Sequence, residues 1–141
     1  MELIYCYSRK EAIEDGFQVV INAKLLKEAG IKYPAFATSK VFDRYIKEDP
    51  ALFCQSETGR IWDILTMFVY FVKNMKNDNP LLEFEFISSV PKGAKLLKNE
   101  KLLDAHDPDI DLIEVKLHSL LGPMDFDDDS PAITFMMPHE N

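Results

Sequence analysis

Polar side chains recur at helical spacing within an apolar segment, ETGRIWDILTMFVYFVKN, that spans residues 57–74. The middle of the segment is apolar or aromatic apart from Asp63 and Thr66. Tyr70 and Asn74 continue the same spacing of three and four residues, so all four polar side chains share one face of a predicted helix. A carboxylate and hydroxyls aligned in this way could serve a small-molecule-binding or hydrolytic site.

Two interpretations of Asp63 follow from this pattern. In the first, Asp63 lines a pocket with Arg60 and Trp62 at its mouth, and Arg9 adds a further cation. In the second, Asp63 lies in the first helical turn, where the helix dipole favours a carboxylate, and it pairs with Arg60 three residues earlier. The second interpretation is favoured, because caps and ion pairs perturb carboxylates more often than catalysis does.

The excess of acidic residues lies in the last third of the chain. Of 16 basic and 24 acidic residues, the first hundred positions hold 14 of each, and positions 101–141 hold 2 and 10. The last segment therefore carries the whole net charge of −8. Two clusters supply most of this charge. The first, DAHDPDID, contains Asp104, Asp107, Asp109 and Asp111, of which the last three are the candidate contacts, and the second contains Asp125, Phe126, Asp127, Asp128 and Asp129.

This charge distribution distinguishes between classes of partner. A negative field repels phosphate, so direct binding of nucleic acid is not expected. The clusters could instead contact a basic surface on another protein, and they would form one patch if the strands around the second cluster pair. Phe126 favours an interface, because exposed aromatic residues anchor protein contacts. The competing interpretation is that acidic loops only keep a small protein soluble.

Other motifs that carry chemistry are missing from the sequence. The three histidines, His106, His118 and His139, form no metal-binding grouping. A calcium-loop pattern that starts at Asp107 lacks the required glycine and glutamate. There is no glycine-rich phosphate loop and no nucleophile motif. We therefore predict no metal, no cofactor and no enzymatic activity.

Length and cysteine content favour a single domain, residues 1–141, in a reducing compartment. Cys6 and Cys54 show no pairing pattern and are expected to be buried thiols. The N-terminus lacks a secretory leader, and the apolar part of the long helix is far short of the roughly 20 residues that span a bilayer. A cytoplasmic location without membrane contact is the expectation.

Local signals predict the elements that must position these residues. Capping residues and glycines indicate short helices near the N-terminus, where Ser8 and Glu11 fit a capping box. Alternating segments such as LLEFEFISSV and DLIEVKLHSL predict strands with one solvated face. The predicted fold class is α+β, with short N-terminal helices and one long buried helix packed on an antiparallel sheet of about three to five strands. The segment PKGAKLLKNEKLLDAHDPD is compatible with a helix or a loop.

Four stretches carry a resemblance: YSRKEAIEDG, AGIKYPAFAT, GRIWDIL and GPMDFDDDSPAITFMMPHEN. The chain resembles a family of short, uncharacterised proteins encoded on phages, plasmids and other mobile elements of bacteria, and the resemblance covers residues 4–75 and 110–141. The chain departs from the family pattern in a lysine-rich insertion around residues 92–103 and in the run from Asp127 to Asp129. Some proteins of this kind look similar to anti-CRISPR proteins.

The resemblance implies a function and a partner. An anti-CRISPR protein binds a host defence nuclease, and the implied partner is a single-protein (type II) CRISPR effector or its guide-RNA complex in the cytoplasm of the bacterial host. Such an effector holds its nucleic acids in a basic channel, which an acidic surface can occupy in place of phosphates. The expectation is a non-enzymatic inhibitor that acts through the two aspartate clusters. The alternative is a small-molecule-binding or hydrolytic protein that uses the polar stripe of the long helix.

Overall fold

The computed structural model describes residues 8–49 and 56–140, which form four helices and six strands. The helices are α1 (Arg9–Glu14), α2 (Ala23–Ala29), α3 (Ser39–Val41), which continues as a π-helical turn (Phe42–Ile46), and α4 (Glu57–Lys73). The strands are β1 (Gln18–Val20), β2 (Ala35–Thr38), β3 (Leu81–Pro91), β4 (Glu100–Asp104), β5 (Ile110–Asp125) and β6 (Asp128–Met136). Among these residues, no helix combines the length and apolar character needed to cross a membrane. The prediction of buried thiols concerns Cys6 and Cys54, which lie outside the described residues.

The six strands form one mixed sheet in the order β1-β2-β6-β5-β3, and β4 pairs with the first half of β5. β2 and β6 run parallel, and every other described pair is antiparallel. Helices packed on a sheet are thus confirmed, but the sheet is larger than predicted and one of its pairs is parallel. Hydrophobic periodicity identifies a strand without identifying its neighbour, which explains the missed parallel pair. The missed strand, β4, lies in the segment that was compatible with a helix or a loop.

Side-chain caps determine where the short helices begin and end. Ser8 Oγ accepts a hydrogen bond from Glu11 N, and the Glu11 carboxylate accepts one from Ser8 N, so the predicted capping box is present. Asn22 caps α2 by accepting a hydrogen bond from Lys24 N. Gly30 ends α2 at a φ of 85°, a left-handed conformation that glycine adopts without strain.

The hydrophobic core lies between α4 and one face of the sheet. The rings of Phe68, Phe84 and Phe135 meet edge to face, with centroids 5.1 to 5.8 Å apart. α1 lies on the opposite face, where the guanidinium of Arg9 covers the ring of Phe36 at 4.2 Å from its centroid. The sheet is therefore covered on both faces in different places, and residues on α1 and α4 face different surroundings.

Alanine substitution at two phenylalanines measures the contribution of the ring cluster. Phe84 is 0% exposed, so Phe84→Ala leaves a cavity and should lower the free energy of unfolding by about 3–5 kcal/mol. Phe126→Ala removes the same atoms from a side chain that is 62% exposed, and its effect should stay within about 0.5 kcal/mol. Urea denaturation of both variants provides the two values, and equal losses would contradict this description of the core.

Candidate functional site

The second aspartate cluster forms the turn of the β5–β6 hairpin, which we name the acidic turn (residues 125–129). Asp125 and Asp128 are register partners, so Phe126 and Asp127 occupy the two turn positions. Phe126 is 62% exposed, as its predicted role as an interface anchor requires. The carboxylates of Asp127 and Asp129 are exposed and make no hydrogen bond or ion pair with any described residue. The turn therefore presents two solvated carboxylates beside an exposed aromatic ring.

The other two aspartates of the acidic turn hold it in place. Asp125 accepts hydrogen bonds from the backbone N–H groups of Phe126 at 2.8 Å, Lys10 at 3.1 Å and Arg9 at 3.3 Å. These bonds, the one from Phe126 first, lower the pKa of the Asp125 carboxyl. Asp128 accepts from Ser130 N at 2.9 Å, and the hydrogen bonds from Ser130 lower its pKa. Both aspartates were predicted to contact a partner, and the structure shows them bonded within the chain.

Arg9 lies at the base of the acidic turn and does not contribute to a pocket with Arg60. Its Nε donates to Met124 O at 2.7 Å, and the same guanidinium reaches Gln18 and Thr134. Burial lowers the pKa of Arg9, and the charge of Asp125 partly opposes that shift. The sequence prediction that grouped Arg9 with the residues of α4 is wrong, because the two groups lie on opposite faces of the sheet.

The first aspartate cluster lies at the other end of β5. Asp107 accepts hydrogen bonds from the N–H groups of Asp109 and Ile110, and Asp111 pairs with Lys92 Nζ at 3.2 Å. The N–H of Gly93 also bonds to Asp111 at 3.0 Å, and this bond is the largest cause of the lowered pKa of that carboxyl. Only the carboxylate of Asp109 in this cluster is without such a bond to a described residue.

The two aspartate clusters do not form one patch. β5 extends over 16 residues, and its pairing with β3 occupies one end while its pairing with β6 occupies the other. Asp111 and Asp125 are consequently about 14 strand residues apart, which is roughly 45 Å along the strand. The strands around the second cluster do pair, but this pairing does not give the single patch suggested from the sequence, because the first cluster lies at the far end of β5.

A cleft of about 630 Å³ lies between α4 and β3, and we name it the α4–β3 cleft. Trp62, Asp63, Thr66 and Met67 of α4 form one wall. The other wall is the middle of β3, residues 85–89, with Glu114 of β5 beside it. Three of the four predicted pocket residues, Arg60, Trp62 and Asp63, therefore do line one concave site.

Arg60 is turned into the protein and does not pair with Asp63. The side chain is 4% exposed, and its guanidinium donates to Ser88 Oγ at 3.2 Å and to Ser89 O at 3.3 Å. Burial lowers the pKa of Arg60, and nearby negative charges, including that of Asp63, partly offset the shift. The prediction of an ion pair between Arg60 and Asp63 is wrong, because the guanidinium instead donates hydrogen bonds to Ser88 and Ser89 at the end of β3.

Asp63 lies on the open side of the cleft, and the prediction that placed it in the first helical turn is wrong. α4 begins at Glu57 after the Ser56 cap, so Asp63 is the seventh residue of the helix. Desolvation at the cleft wall raises the pKa of its carboxyl, and the positive charge of Arg60 opposes the rise. Further along the same face, Thr66 Oγ1 donates to the carbonyl oxygen of Trp62. Asp63 and Thr66 thus form the solvent-facing rim of the cleft, whereas Tyr70 and Asn74, the rest of the polar stripe, are exposed further along the helix and do not line it.

A buried polar network behind the cleft was missed in the sequence. Glu100 accepts two hydrogen bonds from Arg44, at 2.6 and 2.9 Å, and one from Tyr45 Oη at 2.5 Å. Asn99 donates to the same tyrosine oxygen at 3.1 Å. Desolvation would raise the pKa of Glu100, but the hydrogen bonds from Arg44, Tyr45 and Leu97 N together outweigh it, so the pKa is lowered. Arg44 and Tyr45 lie about 55 residues from Asn99 and Glu100 in sequence, and the four follow no periodic pattern, so no local signal revealed the network.

The geometry supports binding by two separate surfaces. The acidic turn offers carboxylates and an aromatic ring, and the α4–β3 cleft offers apolar walls with Asp63 on its rim. Within residues 8–49 and 56–140, no group of three or more histidine, cysteine, aspartate or glutamate side chains is arranged to hold a metal ion. In comparisons with protein-family models, curated proteins and solved structures, nothing matches this chain. The resemblance to mobile-element proteins stays a prediction.

Removing Asp125 should loosen the acidic turn. Asp125→Ala leaves the N–H groups of Arg9, Lys10 and Phe126 without their carboxylate acceptor, so we expect a lower midpoint of urea denaturation. Asp127→Ala, two residues away, breaks no hydrogen bond or ion pair with a described residue and should leave the midpoint unchanged. If the two variants have the same midpoint, Asp125 does not hold the turn.

The buried network should make stability depend on acid. Because the folded-state pKa of Glu100 lies below its ordinary value of 4.5, the stability it supplies is complete above pH 4.5 and is lost as pH falls through the folded value. Glu100→Gln should cost about 1.5–3 kcal/mol above that pH, the range for hydrogen bonds to a charged group. Chemical denaturation across pH measures the difference between the two proteins. A difference that does not shrink in acid would contradict the assignment.

Proposed function

We propose that the protein is a non-enzymatic inhibitor that binds a basic surface of a protein partner through the acidic turn. The observation that supports this most directly is the exposure of Phe126 on the same turn as the solvated carboxylates of Asp127 and Asp129, with the base of the turn fixed by Asp125 and Arg9. A fixed turn loses little conformational freedom on binding, which favours affinity.

The partner surface is defined by charge. Solvated carboxylates accept hydrogen bonds from arginine and lysine, and the net charge of −8 accelerates encounter with a positive surface. An aromatic side chain at the centre of such a contact supplies apolar burial that carboxylates cannot. The same charge repels nucleic acid, so the proposed contact is with protein.

The proposed partner is a single-protein CRISPR effector nuclease of type II, alone or with its guide RNA, in the bacterial cytoplasm. Such a nuclease holds its guide and target in a positively charged channel. The acidic turn would occupy part of that channel in place of phosphates and so block loading of the target. The resemblance to mobile-element proteins supports this choice, and the acidic turn supplies the chemistry.

The second candidate function is binding of a small molecule in the α4–β3 cleft. Its volume of about 630 Å³ lies within the roughly 300–1,000 Å³ of ordinary ligand pockets. Asp63 on the rim would bind a cationic or hydrogen-bond-donating group, and Trp62 would pack against an apolar one. The guanidinium of Arg60 already donates to Ser88 and Ser89, so Arg60 is less suited to bind an anion.

Binding to a guide-loaded type II effector tests the proposed function. The double variant Asp127→Ala, Asp129→Ala should bind at least about tenfold more weakly than the wild type, a loss of about 1.4 kcal/mol, and should show weaker salt dependence. Glu28→Ala with Asp78→Ala removes the same charge from exposed side chains elsewhere and is the matched control. Fluorescence anisotropy measures the affinities, and target cleavage measures the inhibition.

The outcomes separate the two candidate functions. If the control double variant weakens binding as much as the acidic-turn variant, the acidic turn is not the contact. If the wild type binds no such effector, the proposed partner is wrong. Saturable binding of a small cation that Asp63→Asn abolishes would support the second candidate instead.

A further inference from the structure

β3 is one of the edge strands of the described sheet, and the backbone groups that it directs away from β5 can be assigned. Leu121 N donates to Pro80 O and Lys92 N donates to Asp109 O, so these two register pairs are hydrogen-bonded. In an antiparallel ladder, bonded and non-bonded pairs alternate. Even-numbered residues of β3 therefore bond to β5, and odd-numbered residues direct their N–H and C=O groups away from the sheet.

Near both ends of β3, an outward-directed backbone group already has a hydrogen-bond partner, whereas those in the middle of the strand do not. Leu81 N donates to Asn79 Oδ1 at 2.9 Å, and Ser89 O accepts from Arg60 at 3.3 Å. Between them, the outward N–H and C=O groups of Glu83, Glu85 and Ile87 have no hydrogen-bond partner among the described residues. These six groups form a template for one more strand.

The length of this edge distinguishes β3 from the opposite edge of the sheet. β1 has three residues, whereas β3 has 11. Folded proteins commonly shorten, charge or cover an exposed edge, because open strands pair with other chains. On β3 the exposed Ile87, with 57% of its surface accessible, lies beside the open groups. A long edge with an exposed isoleucine is suited to pairing with another strand.

The α4–β3 cleft lies directly beside these groups, because residues 85–89 form one of its walls. Side chains of an added strand would alternate between two surroundings. Those opposite Glu83 and Glu85 would lie on the open face of the sheet, near these carboxylates and Glu114. Those between them would point to the α4 side, where Trp62 and Met67 line the cleft.

We propose that β3 and the α4–β3 cleft bind an extended segment of a partner protein in which basic and apolar side chains alternate. The basic side chains pair with Glu83, Glu85 and Glu114 on the open face, and the apolar side chains enter the cleft beside Trp62. Main-chain hydrogen bonds to the six open groups supply affinity, as in other cases of strand addition. This surface is separate from the acidic turn, since residues 114 and 126 are about 12 strand residues apart, roughly 40 Å along the chain.

Charge disfavours a second copy of the protein in the registers centred on the open groups, including the one that would pair all three open residues. Antiparallel pairing of two β3 strands about residue 84 would place Glu83 against Glu85, and pairing about residue 85 would place Glu85 against itself. Like charges directly opposite each other destabilise a sheet. Lys116, 4.0 Å from Glu85, and His118, 3.0 Å from Glu83, partly balance these carboxylates within one chain but leave them solvent-accessible.

A short peptide that alternates arginine and valine is the probe for this proposal. Amide hydrogen exchange, followed by NMR on the wild-type protein, should slow by at least about tenfold at Glu83, Glu85 and Ile87 when the peptide binds. The amides of Phe84 and Phe86 already bond to β5 and should change little. A peptide of the same composition with its arginines and valines in separate blocks is the matched control and should bind at least about tenfold more weakly.

Two further variants distinguish strand addition from simple charge attraction. N-methylation of the peptide amides that face β3 should abolish binding, whereas methylation of those that face away should not. The double variant Glu83→Lys, Glu85→Lys should no longer bind the arginine–valine peptide and should bind a peptide that alternates glutamate and valine instead. Equal affinity for the alternating and block peptides, or unchanged exchange at the three odd-numbered amides, would overturn the proposal. If exchange at these amides slows as the protein concentration rises, without any peptide, the proposal would also be overturned, because two copies of β3 would then be pairing with each other.

Discussion

The pairing of β5 with three other strands is the interaction on which the rest of the structure depends. β3 lies along its first eleven residues on one side, while β4 and then β6 occupy the other side. β3 is an edge of this sheet, because β5 pairs with its inner side and no described strand pairs with its outer side. The arrangement also extends the β5–β6 hairpin well past the part of β5 that pairs with β3, so the acidic turn lies far from the cleft. Both proposed surfaces therefore result from one long strand.

Charged groups near this framework divide into those that stabilise the fold and those that remain exposed. The guanidinium groups of Arg9, Arg44 and Arg60 form hydrogen bonds within the fold. Each donates to a backbone carbonyl as well as to side chains. Arginine suits these positions because its planar fork can satisfy several acceptors at once. By contrast, the carboxylates of Asp127 and Asp129 form no hydrogen bond or ion pair with a described residue. The distinction gives a physical reason to assign function to the second set, since exposed polar groups without a structural role are available for recognition.

Local signals predicted local features well and long-range features poorly. The cap at Ser8 and the alternation in β3 and β5 depend on neighbours within a few residues, and the structure contains them. The parallel pair of β2 and β6 and the bonds of Arg9 join residues about a hundred positions apart. No pattern in a single sequence encodes such a pairing. The cleft was partly predicted because Arg60, Trp62 and Asp63 are close in sequence. Its β3 wall and the hydrogen-bond network of Glu100 could be identified only from the folded structure.

The parallel pair of β2 and β6 has a consequence for how the chain folds during synthesis. β2 takes part in the sheet through β6, which the ribosome makes about ninety residues later. Until then, the early strands β1 and β2 have only each other, and a two-stranded ribbon is at best marginally stable. The acceptors of Arg9 at Met124 and Thr134 appear equally late. The first third of the nascent chain must therefore stay without its native sheet partner until translation reaches the last strand, a period in which chaperones and proteases can act on it.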